Sequence, residues 1–300
     1  MIKGIHHISA FTKSATANHH FYTEILGLRF VKNTVNQQDT KIRHLFYGDH
    51  QGNPGTLLTF FEYKNIGHAY NENNYFSTVF LNVPKGSLAY WESRLNDYSI
   101  VTEYNSCKQT LAFEDDDSLP LAFIETDETI LPENATRHSD IPVAYQIIGL
   151  AEASLRVEEP EKTLNFLTNF LGLTRTKAIG QVADPATHFL TTVKPSCSRA
   201  VTRMGRGTID HIAYSVDSSE ALETLHQKAE ESQLDIELYV ERGYFKSLYI
   251  KEPNHLRIEI ATEGPGFTLD EPVEELGKSF SLPPFLENKR AEIEAQLEEF

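Results

Sequence analysis

Two histidines and one glutamate in this chain stand where a metal could be held. His7 lies in Gly4-Ile-His-His-Ile-Ser-Ala and His211 in Asp210-His-Ile-Ala-Tyr, each followed by isoleucine in a short apolar run. Alternation along a strand puts Ile5, His7 and Ser9 on one face and His6 and Ile8 on the other. The shared His-Ile pair selects His7 rather than His6. The third residue is Glu259, in Leu256-Arg-Ile-Glu-Ile-Ala, where Leu256, Ile258 and Ile260 form one face and Arg257, Glu259 and Ala261 the other. A strand glutamate ordinarily faces water. Here the matching position of an earlier segment is read as Ile124, so a dry face is expected, and a carboxylate on it needs a cation or a partner. Two imidazoles and a carboxylate leave part of a metal's coordination sphere open, which suits non-haem Fe(II), or zinc completed by water. Donor types alone do not choose among Fe, Mn, Zn, Ni and Co. Most of the chain's 12 histidines are expected to be structural or surface residues.

The elements that must position these residues are legible as a repeat. Gly4, Ser9, Phe21, Leu26, Gly27 and Leu28 recur as Gly149, Ser154, Phe166, Leu171, Gly172 and Leu173, all at an offset of 145. One register with so many matches indicates a duplicated unit. In each copy an apolar strand precedes a predicted helix of about 12 residues, starting near Ser14 or Pro160 and ended by a left-handed glycine. Two looser copies open at Ser77 and Asp210, with helices predicted over 86–96 and 218–232. The chain therefore reads as an α+β fold of four βαβββ modules, 1–63, 75–130, 145–200 and 208–263. They are grouped along the chain as domains 1–140 and 141–266, with a tail over 267–300. The tail carries an amphipathic helix from about Glu287 to Leu297, expected to act as a packing strap. Glu152 falls opposite His7, and Thr78 opposite His211. One pair of modules has kept the ligands and the other has lost them.

Composition narrows the function classes. The 300 residues carry a formal charge of −16 without a basic stripe, so a polyanion such as nucleic acid is an unsuitable partner. No apolar run approaches the ~18 residues of a membrane span. Only Cys107 and Cys197 are present, and Met1-Ile-Lys-Gly leads straight into a strand pattern without a secretory signal, so a cytoplasmic protein is expected. A homo-oligomer stays open.

The Gly-Ile-His-His-Ile opening, Phe21-Tyr-x-x-x-Leu-Gly-Leu and the closing Pro253…Glu259 resemble the vicinal-oxygen-chelate superfamily of glyoxalases, bleomycin-resistance proteins and extradiol dioxygenases. Leu28-Arg-Phe-Val-Lys-Asn-Thr-Val-Asn, His44-Leu-Phe-Tyr-Gly-Asp and Pro54-Gly-Thr-Leu-Leu-Thr-Phe-Phe are similar to its hydroquinone-type ring-cleaving branch. That resemblance implies an Fe(II) enzyme, with Mn(II) or Zn(II) as alternatives, opening a hydroquinone or catechol with O₂. It implies His7, His211 and Glu259 as ligands, Arg242 and Tyr249 in the pocket, and His6 close behind the ligands although alternation turns it away. A rival within the superfamily is a glyoxalase-like lyase or isomerase, or a thiol transferase, on Zn, Ni or Mn, with Glu152 as the spare carboxylate. A second rival is a protein that only sequesters a quinone or drug. Arg257 departs from the branch. It could pair with Glu259, meet an anionic substrate, or turn to solvent on a bulge.

Overall fold

The computed structural model describes residues 2–184, 186–298 and 300. Each module contributes four strands. The first gives β1 (Ile2–Thr12), β2 (Arg29–Asn36), β3 (Asp39–Gly48) and β4 (Leu57–Glu62). The second gives β5 (Tyr75–Pro84), β6 (Glu103–Asn105), β7 (Thr110–Glu114) and β8 (Pro120–Thr126). The third gives β9 (Gly149–Val157), β10 (Thr174–Arg175), β11 (Gln181–Ala183) and β12 (Leu190–Pro195). The fourth gives β13 (Ile209–Val216), β14 (Asp235–Glu241), β15 (Lys246–Lys251) and β16 (Arg257–Thr262).

These strands form two eight-stranded sheets, ordered β14-β15-β16-β13-β1-β4-β3-β2 and β10-β11-β12-β9-β5-β8-β7-β6. The first and fourth modules thus share one sheet and the second and third share the other. The blocks 1–140 and 141–266 each supply half of both sheets. In each sheet the two opening strands pair antiparallel at the centre, β1 with β13 and β5 with β9. One apolar core runs through both, joining Ile8, Leu45 and Ile212 of the first sheet to Val79, Phe123 and Leu155 of the second.

The duplication extends to backbone irregularities. Residues Ala15–His19 are α-helical, capped by the Ser14 side chain accepting from the Ala17 N–H, and continue as a π-helical stretch over His20–Ile25. Pro160–Asn165 continues the same way over Phe166–Phe170. The Leu26 N–H donates to Phe21 O at 3.0 Å, and Leu171 to Phe166 O at 3.4 Å. Gly27 and Gly172 follow at φ +69° and +79°, the left-handed conformation that glycine adopts without strain. The looser copies have helices at Leu88–Asp97 and Ser219–Glu231, close to the expected spans. Among the described residues, no helix is long and apolar enough to cross a membrane.

The tail does strap the first sheet, though less regularly than expected. Its helix is a 3₁₀ stretch, Pro284–Lys289, and only Arg290–Glu294 is α-helical. Pro283 and Pro284 lack the N–H that an α-helical turn would use there. Leu282, Leu286 and Ile293 pack on Val35 of β2. The anchor is Lys32, whose side chain is fully buried. Its Nζ donates to Asp270 at 2.7 Å, to Glu271, and to the Phe267 carbonyl at 3.3 Å. Removing one member of a buried ion cluster strands the rest, an effect of about 3 kcal/mol. Lys32→Ala should therefore lower the unfolding free energy by about that amount in urea titration, and an unchanged midpoint would show that the tail is held by other contacts.

Candidate metal centre

The centre of the first sheet brings His7, His211 and Glu259 together. His7 Nε2 and His211 Nε2 lie 3.2 Å apart, and Glu259 Oε2 is 3.2 Å from the first and 2.9 Å from the second. All three side chains are buried, Glu259 completely. Among the described residues, these form the one group of three or more His, Cys, Asp or Glu side chains whose ligand atoms converge for a metal ion.

Two β-bulges organise the histidines. Ile5 pairs with Tyr214 and His7 with Ala213, so His6 is an extra residue on β1. Ser9 pairs with His211 and Ala10 with Ile209, so Asp210 is an extra residue on β13. A bulge breaks alternation locally and lets two successive side chains serve one face. It corrects the reading that turns His6 away from the site: His6 Nδ1 lies 2.9 Å from His7 Nδ1. On the other strand, His211 Nδ1 donates to Asp210 Oδ2 at 2.7 Å. His7 and His211 are thus each gripped through Nδ1 by a sequence neighbour, which leaves Nε2 as the nitrogen that could face a metal.

The donor set fits a cation. With Nδ1 protonated on both rings, two Nε2 lone pairs and a carboxylate oxygen face one another among buried side chains. Glu259 Oε2 has no hydrogen-bond partner, while Oε1 accepts from Ser247 Oγ at 2.5 Å. A buried carboxylate oxygen left in this way calls for positive charge. Burial would raise the Glu259 carboxyl, but His7 and His211 hold it well below the usual range. Burial pulls His211 down, yet Asp210 and Glu259 push it up to about 9, so without a cation the cluster traps a proton there. Burial and His7 push His6 down to about 3, which keeps it a neutral acceptor for the His7 N–H.

Arg257 does not pair with Glu259. Its guanidinium donates to Asp210 at 2.9 and 3.2 Å and to Glu237 at 2.8 and 3.2 Å. It therefore steadies the carboxylate that orients His211. Its side chain is 40% exposed and also lines the cavity mouth, so it is neither sealed away nor bulged out to bulk solvent.

The cavity over the triad has a volume of about 210 Å³. A cavity of roughly 150 Å³ holds one benzene, so this one accepts a single substituted ring. Phe46, Phe61 and Phe245 supply apolar wall, and Arg242, Tyr249 and His44 supply polar groups. The Arg242 guanidinium lies over the Tyr249 ring at 5.1 Å, and that ring meets His211 edge-on at 5.6 Å. Burial, then Glu259, raises the Tyr249 phenol above its ordinary range and keeps it protonated. Arg242 and Tyr249 therefore both line the cavity, as do His7 and His211.

Two sequence expectations change. The counterpart of Glu259 is Ala122, since Phe80 pairs with Ala122 as Ala213 pairs with Glu259. Ile124 instead matches Ala261. The face is dry, but Ala122 at 2% exposure is the residue that shows it. Glu152 lies on the second sheet, accepts from Ser154 Oγ at 3.2 Å, and is outside the convergent group. Sequence reasoning missed Asp210, Ser247 and His44. Asp210 adjoins His211 and could have been weighed, but the bulge that makes it useful leaves no mark in composition.

The model of the Glyoxalase/Bleomycin resistance protein/Dioxygenase superfamily matches residues 4–123 and 149–260. MhqA of Bacillus subtilis (strain 168), a proposed ring-cleaving dioxygenase, is 37% identical over 99% of this chain and 98% of its own length. The chlorohydroquinone/hydroquinone 1,2-dioxygenase of Sphingobium indicum is 27% identical over 97% of this chain and 95% of its own. The crystal structure of a proposed dioxygenase from Bacillus subtilis superposes with a TM-score of 0.92 at 31% identity, covering 100% of this chain and 97% of that one.

Two substitutions test the centre. Glu259→Gln should weaken Fe(II) or Zn(II) binding about 100-fold or more in anaerobic chelator competition, with an unchanged circular dichroism spectrum; near-normal affinity would remove Glu259 from the ligand set. Asp210→Asn should lower metal affinity by roughly 10- to 100-fold, the usual effect of losing a carboxylate behind a ligand histidine. No change would show that the bulge alone orients His211.

Proposed function

The chain belongs to the Glyoxalase/Bleomycin resistance protein/Dioxygenase superfamily, and on that footing we propose that it is a ring-cleaving dioxygenase that opens a hydroquinone with O₂ on a single Fe(II) held by His7, His211 and Glu259. The observation that carries this reading is the convergence of three buried donor atoms beneath a cavity the size of one aromatic ring. The names of the full-length relatives, one of them a hydroquinone dioxygenase, support the same reaction class.

An Fe(II) in this place would favour the phenolate form of a bound diol and link ring and O₂ electronically. The chain's own residues do the rest. Phe46 and Phe61 give an otherwise polar cavity the apolar wall against which an aromatic ring can pack. Arg242 places a fixed positive charge on the cavity wall, where it favours an anionic oxygen as charge develops. Its backbone is fixed by the Phe245 carbonyl, which accepts from the Arg242 N–H at 2.8 Å, and by Gln37 Nε2, which donates to the Arg242 carbonyl at 2.5 Å. Tyr249, kept protonated, donates a hydrogen bond into the site and can carry a proton to or from a ring oxygen. Ser247 and Asp210 hold the carboxylate and the imidazole in register.

A glyoxalase-like reaction with a fourth ligand has no carboxylate to draw on at Glu152, which lies on the other sheet. The decisive assay is O₂ uptake by protein loaded anaerobically with Fe(II), against hydroquinones and catechols. Stoichiometric uptake with loss of aromatic absorbance is expected, strongest with hydroquinones. Absence of uptake with iron bound would overturn the reading and leave a non-redox member of the superfamily.

A further inference from the structure

His44 lines the cavity but has no part in the reaction described above, and its ring is packed on two sides by aromatic residues. It sits on β3, two strands from β1 through β4, on the arm of the sheet opposite β15 and Tyr249. Phe61 stacks on it at 4.0 Å and Phe46 leans on it at 4.1 Å. Its Nε2 meets Thr59 Oγ1 at 2.9 Å, and that hydroxyl is bonded to Ser9 Oγ at 2.6 Å. Nδ1 has no protein partner among the described residues, and it is not among the buried polar atoms left unpaired. Because His44 lines the cavity, Nδ1 is the nitrogen that opens onto it.

From this placement we propose that His44 is a specificity-determining residue, whose Nδ1 receives the substrate hydroxyl at the end of the ring remote from the metal. The inference rests on the ring-cleaving reading and deepens it by naming the residue that selects the para-diol. The shared cavity supports it. His44, His7 and His211 line the same space of about 210 Å³, enough for one substituted ring, and Phe61 stacks on His44 while lying 6.5 Å from the His211 ring. A hydroquinone puts its oxygens at opposite ends of that ring, one at each site. A catechol puts both at the metal end and leaves Nδ1 facing carbon and hydrogen.

The imidazole suits the task in either tautomer. Burial, then His7 and His211, hold it well below its ordinary pKa, so it stays neutral with one donor and one acceptor nitrogen. Whichever role Thr59 imposes on Nε2, Nδ1 takes the other, and a hydroxyl satisfies both. A site built to bond a hydroxyl rejects the analogue that lacks it, because a polar group is left without a partner.

The test compares phenol, catechol and hydroquinone binding to iron-loaded protein under argon by calorimetry, in the wild type, His44→Phe and His44→Gln, with metal content checked in each. Wild type should bind hydroquinone about tenfold tighter than phenol, the worth of one hydrogen bond in a dry site. His44→Phe should erase that difference while leaving phenol affinity unchanged, and His44→Gln should restore part of it. In turnover, the KM for hydroquinone should rise in His44→Phe while the KM for catechol stays near the wild-type value. A His44→Phe protein that discriminates as well as wild type, or a His44→Gln protein no better than His44→Phe, overturns the role of His44 and leaves the ring-cleaving reading intact. A wild type that binds none of the three and consumes no O₂ overturns both.

Discussion

A carboxylate oxygen in the dry centre of a sheet, facing two imidazole nitrogens, is the constraint on which this structure turns. Glu259 is completely buried, and its Oε2 has no hydrogen-bond donor. Such a charge is tolerable only if a cation, or a trapped proton, sits among the three donors. The surrounding features answer that requirement. Ser247 satisfies the other carboxylate oxygen, Ala213 on β13 pairs with Glu259 and keeps its side small, and the two bulges rotate His6 and Asp210 into line behind the histidines. Arg257 and Glu237 then carry the chain of charge from Asp210 toward solvent.

The bulges belong to the architecture rather than to the metal. In the second sheet Ser77 and Ala151 are the extra residues, at the positions matching Asp210 and His6. The π-helical turns are likewise present in both copies. A duplicated scaffold thus offers the same backbone twice, and only one copy carries the convergent His–His–Glu set. Glu152, Thr78 and Ala122 occupy the three matching positions of the other. Bulges kept in the sheet that lacks this set show that the distortion does not depend on those three side chains.

This explains what could be read from sequence. The repeat, its strand and helix order and the ligand histidines were legible because a fixed offset and a shared His-Ile context survive in the residues themselves. Glu259 was found, but through the wrong counterpart, since Ile124 and Ala122 differ by one alternation and only strand register separates them. Alternation alone turns His6 away and only the resemblance kept it beside His7, because a bulge inserts one residue without changing composition. The pairing of the first module with the fourth was implied by the grouping of His7 with His211 and Glu259, although chain order alone says nothing about which edges meet. His44 escaped notice because a histidine in an aromatic strand looks like a core residue until its second nitrogen is seen to face a cavity.

The charges around the cavity set what can bind there. Three carboxylates, Glu259, Asp210 and Glu237, and two guanidiniums, Arg242 and Arg257, stand at or beside the cavity, with Arg257 paired directly to Asp210 and Glu237. Lys251 reaches Glu237 only from the solvent edge, where water and salt weaken its influence. Adding a divalent ion leaves the site with a single positive charge, which is the complement of one phenolate. A doubly ionised diol would overshoot, and a neutral ring would leave the charge unanswered in a low-dielectric space. On the proposed reading, the site would favour a diol that loses one proton at the metal end and keeps the other. That retained hydroxyl is the form a neutral imidazole can recognise, so the electrostatics of the first arm and the polar group on the second point to the same ligand.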